Sequence, residues 1–226
     1  MMLNTRGLTI PFTKLGAVTS EDLFEEREQE VFDFYEAHTT RYRRALDIGA
    51  NIGVHTIQMV RCGWEVKAFE PDRVHFGCLM ENCAANGAIP RHMARQAVSD
   101  HYGRETFVRV LGNTTASHLK GARNHHGLTE ECEVEVVDCR PLFDWADFAK
   151  IDVEGHEARL LLTVTPRQRC EFLVEIGSLQ AAEAIFGHFW GERQMWAQNS
   201  GWGAVRGLGD MPTHYRQGML FIGEKP

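Results

Sequence analysis

Apolar residues along the chain fall into short runs separated by longer amphipathic stretches. Short apolar runs predict strands, and apolar residues that recur every three to four positions predict helices. The predicted strands span 45–49, 65–70, 94–98, 105–110, 132–138, 148–152, 171–176 and 218–223, and the predicted helices span 20–37, 53–62, 72–86, 156–164 and 178–190. This alternation predicts an α/β fold whose mostly parallel sheet is covered by helices on both faces.

The N-terminal part of the chain carries weaker patterning. Residues 1–18 show no clear period, and an acidic sequence at 19–22 resembles a capping box in front of the helix predicted over 20–37. A length of 226 residues suits one domain with a small appendage. We therefore predict a lead-in with an amphipathic helix at 1–40, packed on the core, and one domain at 41–226.

Composition narrows the classes of partner and compartment. The net charge of −7 and the lack of a long basic run disfavour nucleic acid as a partner, although a local basic groove stays open. The six cysteines form no C-x-x-C pair, which is typical of reduced, buried thiols and predicts a cytoplasmic protein. No run approaches the ~18 apolar residues of a membrane span, so we expect no membrane partner.

A glycine turn follows the first strand of the predicted domain, in the sequence Ala-Leu-Asp-Ile-Gly-Ala-Asn-Ile-Gly at 45–53. Gly49 and Gly53 allow a sharp turn and a close approach of backbone to a ligand. The G-x-G-x-x-G sequence of dinucleotide-binding proteins is absent, which disfavours a pyrophosphate cradle. Asp47, just before the turn, suits an ammonium group and would repel a pyrophosphate.

The second strand supplies the partner of this turn. Glu70 ends that strand about 20 residues beyond the glycine turn, where an acid accepts hydrogen bonds from ribose hydroxyls. Asp47 and Glu70 together therefore predict a nucleoside that carries an amino-acid tail and no phosphate. S-adenosylmethionine fits that description.

A second acidic sequence, Lys-Ile-Asp-Val-Glu-Gly-His-Glu at 150–157, follows another strand. Methyl transfer to an alcohol requires an aligned hydroxyl and a group that takes its proton. We expect Asp152 to hold the hydroxyl, with Glu154 beside it and His156 as general base. A structural role for His156 is the alternative. Asp152, Glu154 and Glu175 also form a candidate oxygen site for a divalent metal, but no spacing fixes its geometry, so a metal-free site is favoured.

Five sequence segments together resemble those of FkbM-type methyltransferases: Asp47–Gly53, Phe69–Asp72, Leu79–Asn86, Ala97–Asp100 and Lys150–Glu157. The resemblance covers about residues 40–180. It implies a class I, Rossmann-like, S-adenosylmethionine-dependent methyltransferase with a seven-stranded, mostly parallel sheet. The last strand of that sheet would be antiparallel and would come from the tail of the chain.

The resemblance also implies which residues line the cofactor pocket. They are Asp47, Gly49, Asn51, Gly53 and Glu70, and Ser99 is a further candidate near the adenine. The chain departs from the family at 137–140, where Val-Asp-Cys-Arg replaces the usual Leu-Asp. That departure bears on the acceptor more than on the cofactor.

The predicted activity is O-methylation of a hydroxyl on a sugar or another small metabolite. The alternative is an N-methyltransferase or modification enzyme that acts on nucleic acid or protein. Amino methylases of nucleobases carry Asn/Asp-Pro-Pro-aromatic where this chain has Asp152-Val-Glu-Gly, which counts against that alternative. A nicotinamide dehydrogenase is disfavoured by the missing glycine fingerprint, and a non-catalytic module by the intact acidic residues.

Overall fold

The computed structural model describes residues 2–226, with side chains from residue 6 onward. Its strands are β1 (Met2–Thr5), β2 (Leu8–Pro11), β3 (Arg44–Ile48), β4 (Glu65–Phe69), β5 (His92–Ala94), β6 (Ala97–Ser99), β7 (Gly103–Val110), β8 (His118–Leu119), β9 (Thr129–Asp138), β10 (Phe148–Ile151), β11 (Glu171–Glu175), β12 (Met195–Ala197), β13 (Gly203–Ala204) and β14 (Met219–Ile222). The α-helices are α1 (Glu26–Ala37), α2 (Val54–Arg61), α3 (Arg73–Ala85), α4 (Cys139–Trp145), α5 (Glu157–Leu161) and α6 (Leu179–Phe189).

The central sheet runs β13-β12-β14-β11-β10-β3-β4-β5. Strands β5, β4, β3, β10 and β11 run parallel to one another, whereas β14 is antiparallel to both β11 and β12. The predicted α/β class, the parallel sheet and the reversed strand from the tail are confirmed. The predicted count of seven strands is wrong by one, because β13 adds a two-residue eighth strand at the edge.

Two apolar cores cover the two faces of this sheet. On one face, residues such as Leu46, Ile151 and Phe172 pack with α4, α5 and α6. On the other, residues such as Ala45 and Phe148 pack with α1, α2 and α3. Alternate residues of a strand point to opposite faces, so a strand buried on both sides reads as one continuous apolar run. This is why the central strands were predictable from the sequence.

A second, four-stranded sheet of order β6-β9-β7-β8 stands beside the first. The single strand predicted over 94–98 is wrong: β5 ends at Ala94 in the central sheet, and β6 begins at Ala97 and pairs with β9. The chain changes sheets at the polar pair Arg95 and Gln96, and a polar pair of this kind does not by itself distinguish one strand from two. The strands predicted at 105–110 and 132–138 form the long β7–β9 antiparallel pair.

The first helix begins later than its sequence predicts. The carboxylate of Asp22 accepts hydrogen bonds from the backbone N and the hydroxyl of Thr19, at 2.6 Å and 3.0 Å. This closes a local turn followed by a short 3-10 helix, and α1 starts only at Glu26. The elements that were not predicted are helix α4 and strands β1, β2, β8, β12 and β13. Helices α2, α3, α5 and α6 fall within their predicted ranges.

The N-terminal segment packs against the central sheet, since Leu8, Ile10 and Phe32 are buried in the same core as β3. The division at residue 40 stays a prediction. Among the described residues, the helices are too short or too polar to cross a membrane. The six cysteines carry free thiols, and the cytoplasmic location stays a prediction.

Candidate active site

A cavity of about 510 Å³ opens at the carboxyl ends of β3, β4, β10 and β11. Ligands bind at this edge in open parallel sheets, and the volume lies within the range of small-molecule sites. Of the residues predicted for the site, seven line the cavity: Gly49, Asn51, Glu70, Asp152, Glu154, His156 and Glu175. The two acidic-glycine sequences of the chain therefore meet in one place.

The glycine turn after β3 leaves no room for a side chain. Gly49 has φ of +82°, and a Cβ at this position would overlap the carbonyl oxygen of Asp152. Its backbone N donates to the carbonyl of Phe69 at 3.0 Å, which ties the turn to β4. At Gly53, with φ of +93°, a Cβ would lie 2.6 Å from Cδ1 of Leu79 in α3. Glycine at both positions thus lets the turn pack against β10 and α3.

Glu70 organises the cofactor side of the cavity. Its carboxylate accepts from the backbone N of Asn51 at 2.8 Å and from the backbone N of Asp72 at 2.8 Å. The side chain is nearly buried, and burial raises the pKa of Glu70 to about 8 despite these two donors. A carboxylate accepts more than two hydrogen bonds, so Glu70 can still receive ligand hydroxyls.

Asn51 offers a further acceptor in the cavity wall. It has φ of +51°, in the left-handed region, and its Oδ1 is buried without a donor among the residues that the structure describes. A ligand ammonium or amino group would satisfy that oxygen. This unpaired acceptor, the Glu70 carboxylate and the apolar wall of Phe69, Val98 and Phe107 fit the amino-acid tail, the ribose and the base of S-adenosylmethionine.

Three predicted cofactor residues lie behind the wall. Asp47 is fully buried on β3, and its Oδ2 accepts from the hydroxyl of Thr56 at 2.5 Å. Gly53 packs on α3 as described. Ser99 is also fully buried, at the end of β6, where its hydroxyl lies 2.9 Å from Nε2 of His156. Asp47 and Gly53 thus shape the turn from beneath.

The acidic rim is formed by Asp152, Glu154 and Glu175. One carboxylate oxygen of each lies within 4.8 Å of the others. Burial and the negative charge of Asp152 raise the pKa values of both Glu154 and Glu175, and the charge of Glu154 raises that of Glu175 further. Such a group can hold a hydroxyl, take a proton or bind a hard cation.

Glu157 fixes the turn that aims Glu154. Its buried carboxylate accepts from the backbone N of Val153 and of Gly155, each at 3.0 Å. Glu154 has φ of +54° and Gly155 has φ of +104°, so two consecutive residues adopt left-handed backbone. The strain of a non-glycine residue in this region is offset by these buried hydrogen bonds. The sequence did not predict these hydrogen bonds from Glu157 back to the preceding turn.

His156 precedes α5 and is almost fully buried. Its Nε2 lies 2.9 Å from the Ser99 hydroxyl, and burial together with the nearby Arg159 lowers its pKa. It lines the cavity, but one ring nitrogen is already engaged by Ser99. The carboxylates are therefore better placed than His156 to receive a proton from the acceptor.

The polar stretch at 111–131 forms part of the cavity roof. Residues 113–119 line the cavity, and Arg123 forms an ion pair with Glu154. The carbonyl of Ala122 packs so closely on the turn at Glu154 and Gly155 that a Cβ on Gly155 would lie 2.7 Å from it. The length and polarity of this stretch were the only sequence signal for such a role.

Both ends of the chain complete the wall. Glu28 on α1 lines the cavity, and its carboxylate lies 3.0 Å from Nε2 of His55. On the C-terminal side, Arg216 lines the cavity and accepts at its carbonyl a hydrogen bond from the Arg27 guanidinium. Gln198 donates to the carbonyl of Arg27 at 2.9 Å. None of these residues lies in a recognisable sequence motif, so sequence reasoning missed them.

Comparison with known proteins identifies one family model and several solved structures that are similar to this chain. The family model described as the methyltransferase FkbM domain matches residues 47–195. No curated protein sequence matches the chain. A SAM-dependent methyltransferase from Agrobacterium tumefaciens has a similar structure, with a TM-score of 0.51, 11% identity and coverage of 98% of this chain and 68% of that chain.

Two further solved structures are similar at a lower level. Rv0187 from MTB has a TM-score of 0.47 at 13% identity, covering 95% of this chain and 84% of its own. A precorrin-6y methyltransferase from Geobacter metallireducens has a TM-score of 0.47 at 11% identity, covering 93% and 97%.

Proposed function

The chain belongs to the FkbM family of S-adenosylmethionine-dependent methyltransferases, and from this premise we propose that it methylates a hydroxyl group of a small molecule. The observation that carries the proposal is that two sets of residues line the same cavity. A glycine turn with Glu70 forms one side, and the carboxylates of Asp152, Glu154 and Glu175 form the other.

The cofactor side would hold S-adenosylmethionine through residues already described. Glu70 would accept from the ribose hydroxyls, and Oδ1 of Asn51 would accept from the amino group. The close packing at Gly49 and Gly53 would keep the turn in place, with Asp47 supporting it from beneath. When bound, the cofactor supplies a methyl group that its sulfonium charge already activates.

The acidic side would hold and deprotonate the acceptor. A hydroxyl that donates to Asp152 lies within reach of a neighbouring carboxylate, because the three carboxylates are within 4.8 Å of one another. A carboxylate with a raised pKa is a stronger base than an ordinary one. We propose Glu154 as the base because its pKa is raised, with Asp152 orienting the hydroxyl and His156 supporting the turn.

The size and the lining of the cavity support a small acceptor, such as a sugar or another metabolite. Residues of α1, of the 113–119 segment and of the C-terminal segment contribute to the cavity wall, and a volume of about 510 Å³ is that of a small-molecule site. Acidic side chains outnumber arginines along the wall, which disfavours the phosphate backbone of a nucleic acid. Methylation of an exposed amino group on a protein or nucleic acid is the second candidate, since a carboxylate also accepts from an amine.

Calorimetry with S-adenosylmethionine and with NAD tests the cofactor. We expect S-adenosylmethionine to bind and NAD not to bind, and the opposite result would remove the proposal. Asp152→Asn should keep the affinity for S-adenosylmethionine and lose turnover, whereas Glu70→Ala should weaken binding. Release of S-adenosylhomocysteine across a panel of neutral sugars, amines and short RNA identifies the acceptor. Turnover with RNA alone would favour the second candidate.

His156→Gln separates the two candidate bases. If Glu154 takes the proton, Glu154→Gln should reduce turnover by about 100-fold or more while His156→Gln has a smaller effect. The reverse order would assign the proton transfer to His156. Thermal unfolding of both variants shows whether either loss reflects a damaged fold.

A further inference from the structure

One buried cation stands next to the carboxylates of the cavity. Lys150, on β10, is 3% exposed, and its Nζ donates to Oδ2 of Asp152 at 3.2 Å. The neighbouring residues of its strand, such as Ala149 and Ile151, are apolar and fully buried. A lysine in the middle of a buried parallel strand is costly unless carboxylates surround its ammonium.

The sheet register supplies those carboxylates. Lys150 pairs with Asp47 across β3 and with Leu173 across β11. Paired residues in a sheet share a face, and so does the residue two positions further along each strand. Lys150, Asp47, Asp152 and Glu175 therefore lie on one face, the face that α1 covers.

Helix α1 adds a fourth carboxylate. Glu28 lines the cavity from that helix, and its negative charge acts on Lys150 together with those of Asp152 and Asp47. Carboxylates from α1, β3 and the end of β10 therefore surround the Lys150 ammonium and offset the cost of its burial.

We infer that Lys150 is the resident cation of the cavity carboxylates: its ammonium orients Asp152 and occupies the electrostatic role that a divalent metal would otherwise take. The positioning of the acceptor rests on the proposed function, whereas the exclusion of a metal does not. Lys150 is thus a positioning residue that acts through Asp152. Asp152, Glu154 and Glu175 have the oxygen ligands for a hard cation, but a cation would have to approach against a fixed positive charge.

Metal binding tests the inference without a known acceptor. Mn²⁺ is titrated by calorimetry into the full chain as wild type, Lys150→Met, Lys150→Arg and Lys67→Met. Lys67 lies on β4, which β3 separates from β10, and its Nζ is 4.0 Å from the centroid of the Trp145 ring, so Lys67→Met removes one positive charge elsewhere on the sheet. S-adenosylmethionine is titrated into the same four proteins, which reads the proposed function separately.

We expect Lys150→Met to bind Mn²⁺ at least about tenfold more tightly than wild type, because the repelling charge is gone. Adding Glu175→Gln to Lys150→Met should abolish that gain. Lys150→Arg and Lys67→Met should behave like wild type. Tight Mn²⁺ binding by wild type that Glu175→Gln removes would overturn the inference, and so would equal affinities of wild type and Lys150→Met.

If Lys150→Met does not fold, the Mn²⁺ titration of wild type still decides the question. Wild type and Lys150→Arg then carry the test, since Mn²⁺ binding by either at the carboxylates contradicts a resident ammonium, and its absence in both supports one. If none of the four proteins binds S-adenosylmethionine, the proposed function is wrong. The Mn²⁺ titrations can still be interpreted in that case.

Discussion

The effect of Glu70→Gln on the free energy of unfolding should change sign as the pH rises. The Glu70 carboxyl has an ordinary pKa of 4.5 in the unfolded chain and a pKa of about 8 in the folded one, because burial disfavours its ionised form. Below pH 4.5 it is protonated in both states. Between these values the unfolded chain releases the proton and the folded chain retains it, so stability falls with pH, and above about 8 the fall ends.

The size of this effect follows from the two pKa values. Each pH unit between them corresponds to about 1.36 kcal/mol, which gives up to about 5 kcal/mol of lost stability once Glu70 is ionised in the folded chain. Glutamine carries no charge at any pH, but it offers one acceptor oxygen to the two backbone N–H groups of Asn51 and Asp72. Its own cost is therefore about 1 kcal/mol and does not depend on pH.

Urea unfolding of wild type and Glu70→Gln from pH 5 to pH 9 measures the difference directly. We expect the variant to be less stable at pH 5 and more stable at pH 9. Taking the difference at each pH cancels the contributions of other buried carboxyls, such as Glu157, whose pKa is also raised. A difference that stays constant across this range would refute the burial of an acidic Glu70.

Three further predictions concern the turns of the cavity. Gly49→Ala should prevent folding in thermal melts because its Cβ overlaps a backbone carbonyl, whereas Gly63→Ala, which has a similar positive φ and open space, should cost only about 1 kcal/mol. Glu157→Ala should cost about 2–4 kcal/mol in urea unfolding by leaving two backbone N–H groups unpaired, and an unchanged midpoint would contradict that role. Arg123→Met should raise the pKa of Glu154 further and speed hydrogen exchange in the segment that carries Arg123, while Lys120→Met, which removes only an exposed ion pair, should not.

The cofactor side of the site was largely predictable from the sequence. A short apolar strand, a glycine turn and an acid at the next strand end are local signals, and the parallel sheet brings them together by a general rule. Gly49, Asn51 and Glu70 accordingly line one cavity, and their contact with a cofactor stays a prediction. Asp47 was placed correctly on its strand, but the sequence did not show that it would face the interior.

The acceptor side depends on contacts between distant parts of the chain. Glu28 and Arg216 reach the cavity only because α1 and the C-terminal segment pack beside each other. Lys150 belongs to the acidic sequence at 150–157. Its contacts with carboxylates, however, depend on the register between β10 and β3, which apolar periodicity does not encode. The break between β5 and β6 was missed for the same reason, since strand pairing decides that the polar pair Arg95 and Gln96 separates two sheets.

The contact of the Arg27 guanidinium with the carbonyl of Arg216 joins two segments that lie on either side of the stretch matched by the family model. Most of the proposed cofactor residues lie close together in the sequence. The contact between Arg27 and Arg216, in contrast, joins two segments that are far apart in the sequence. If the cavity wall that they complete contacts the acceptor, as proposed, a change in either segment alters the acceptor site and leaves the Glu70 side of the cavity unchanged. Because each segment supports the other, we expect exchange of both together to preserve the wall better than exchange of one alone.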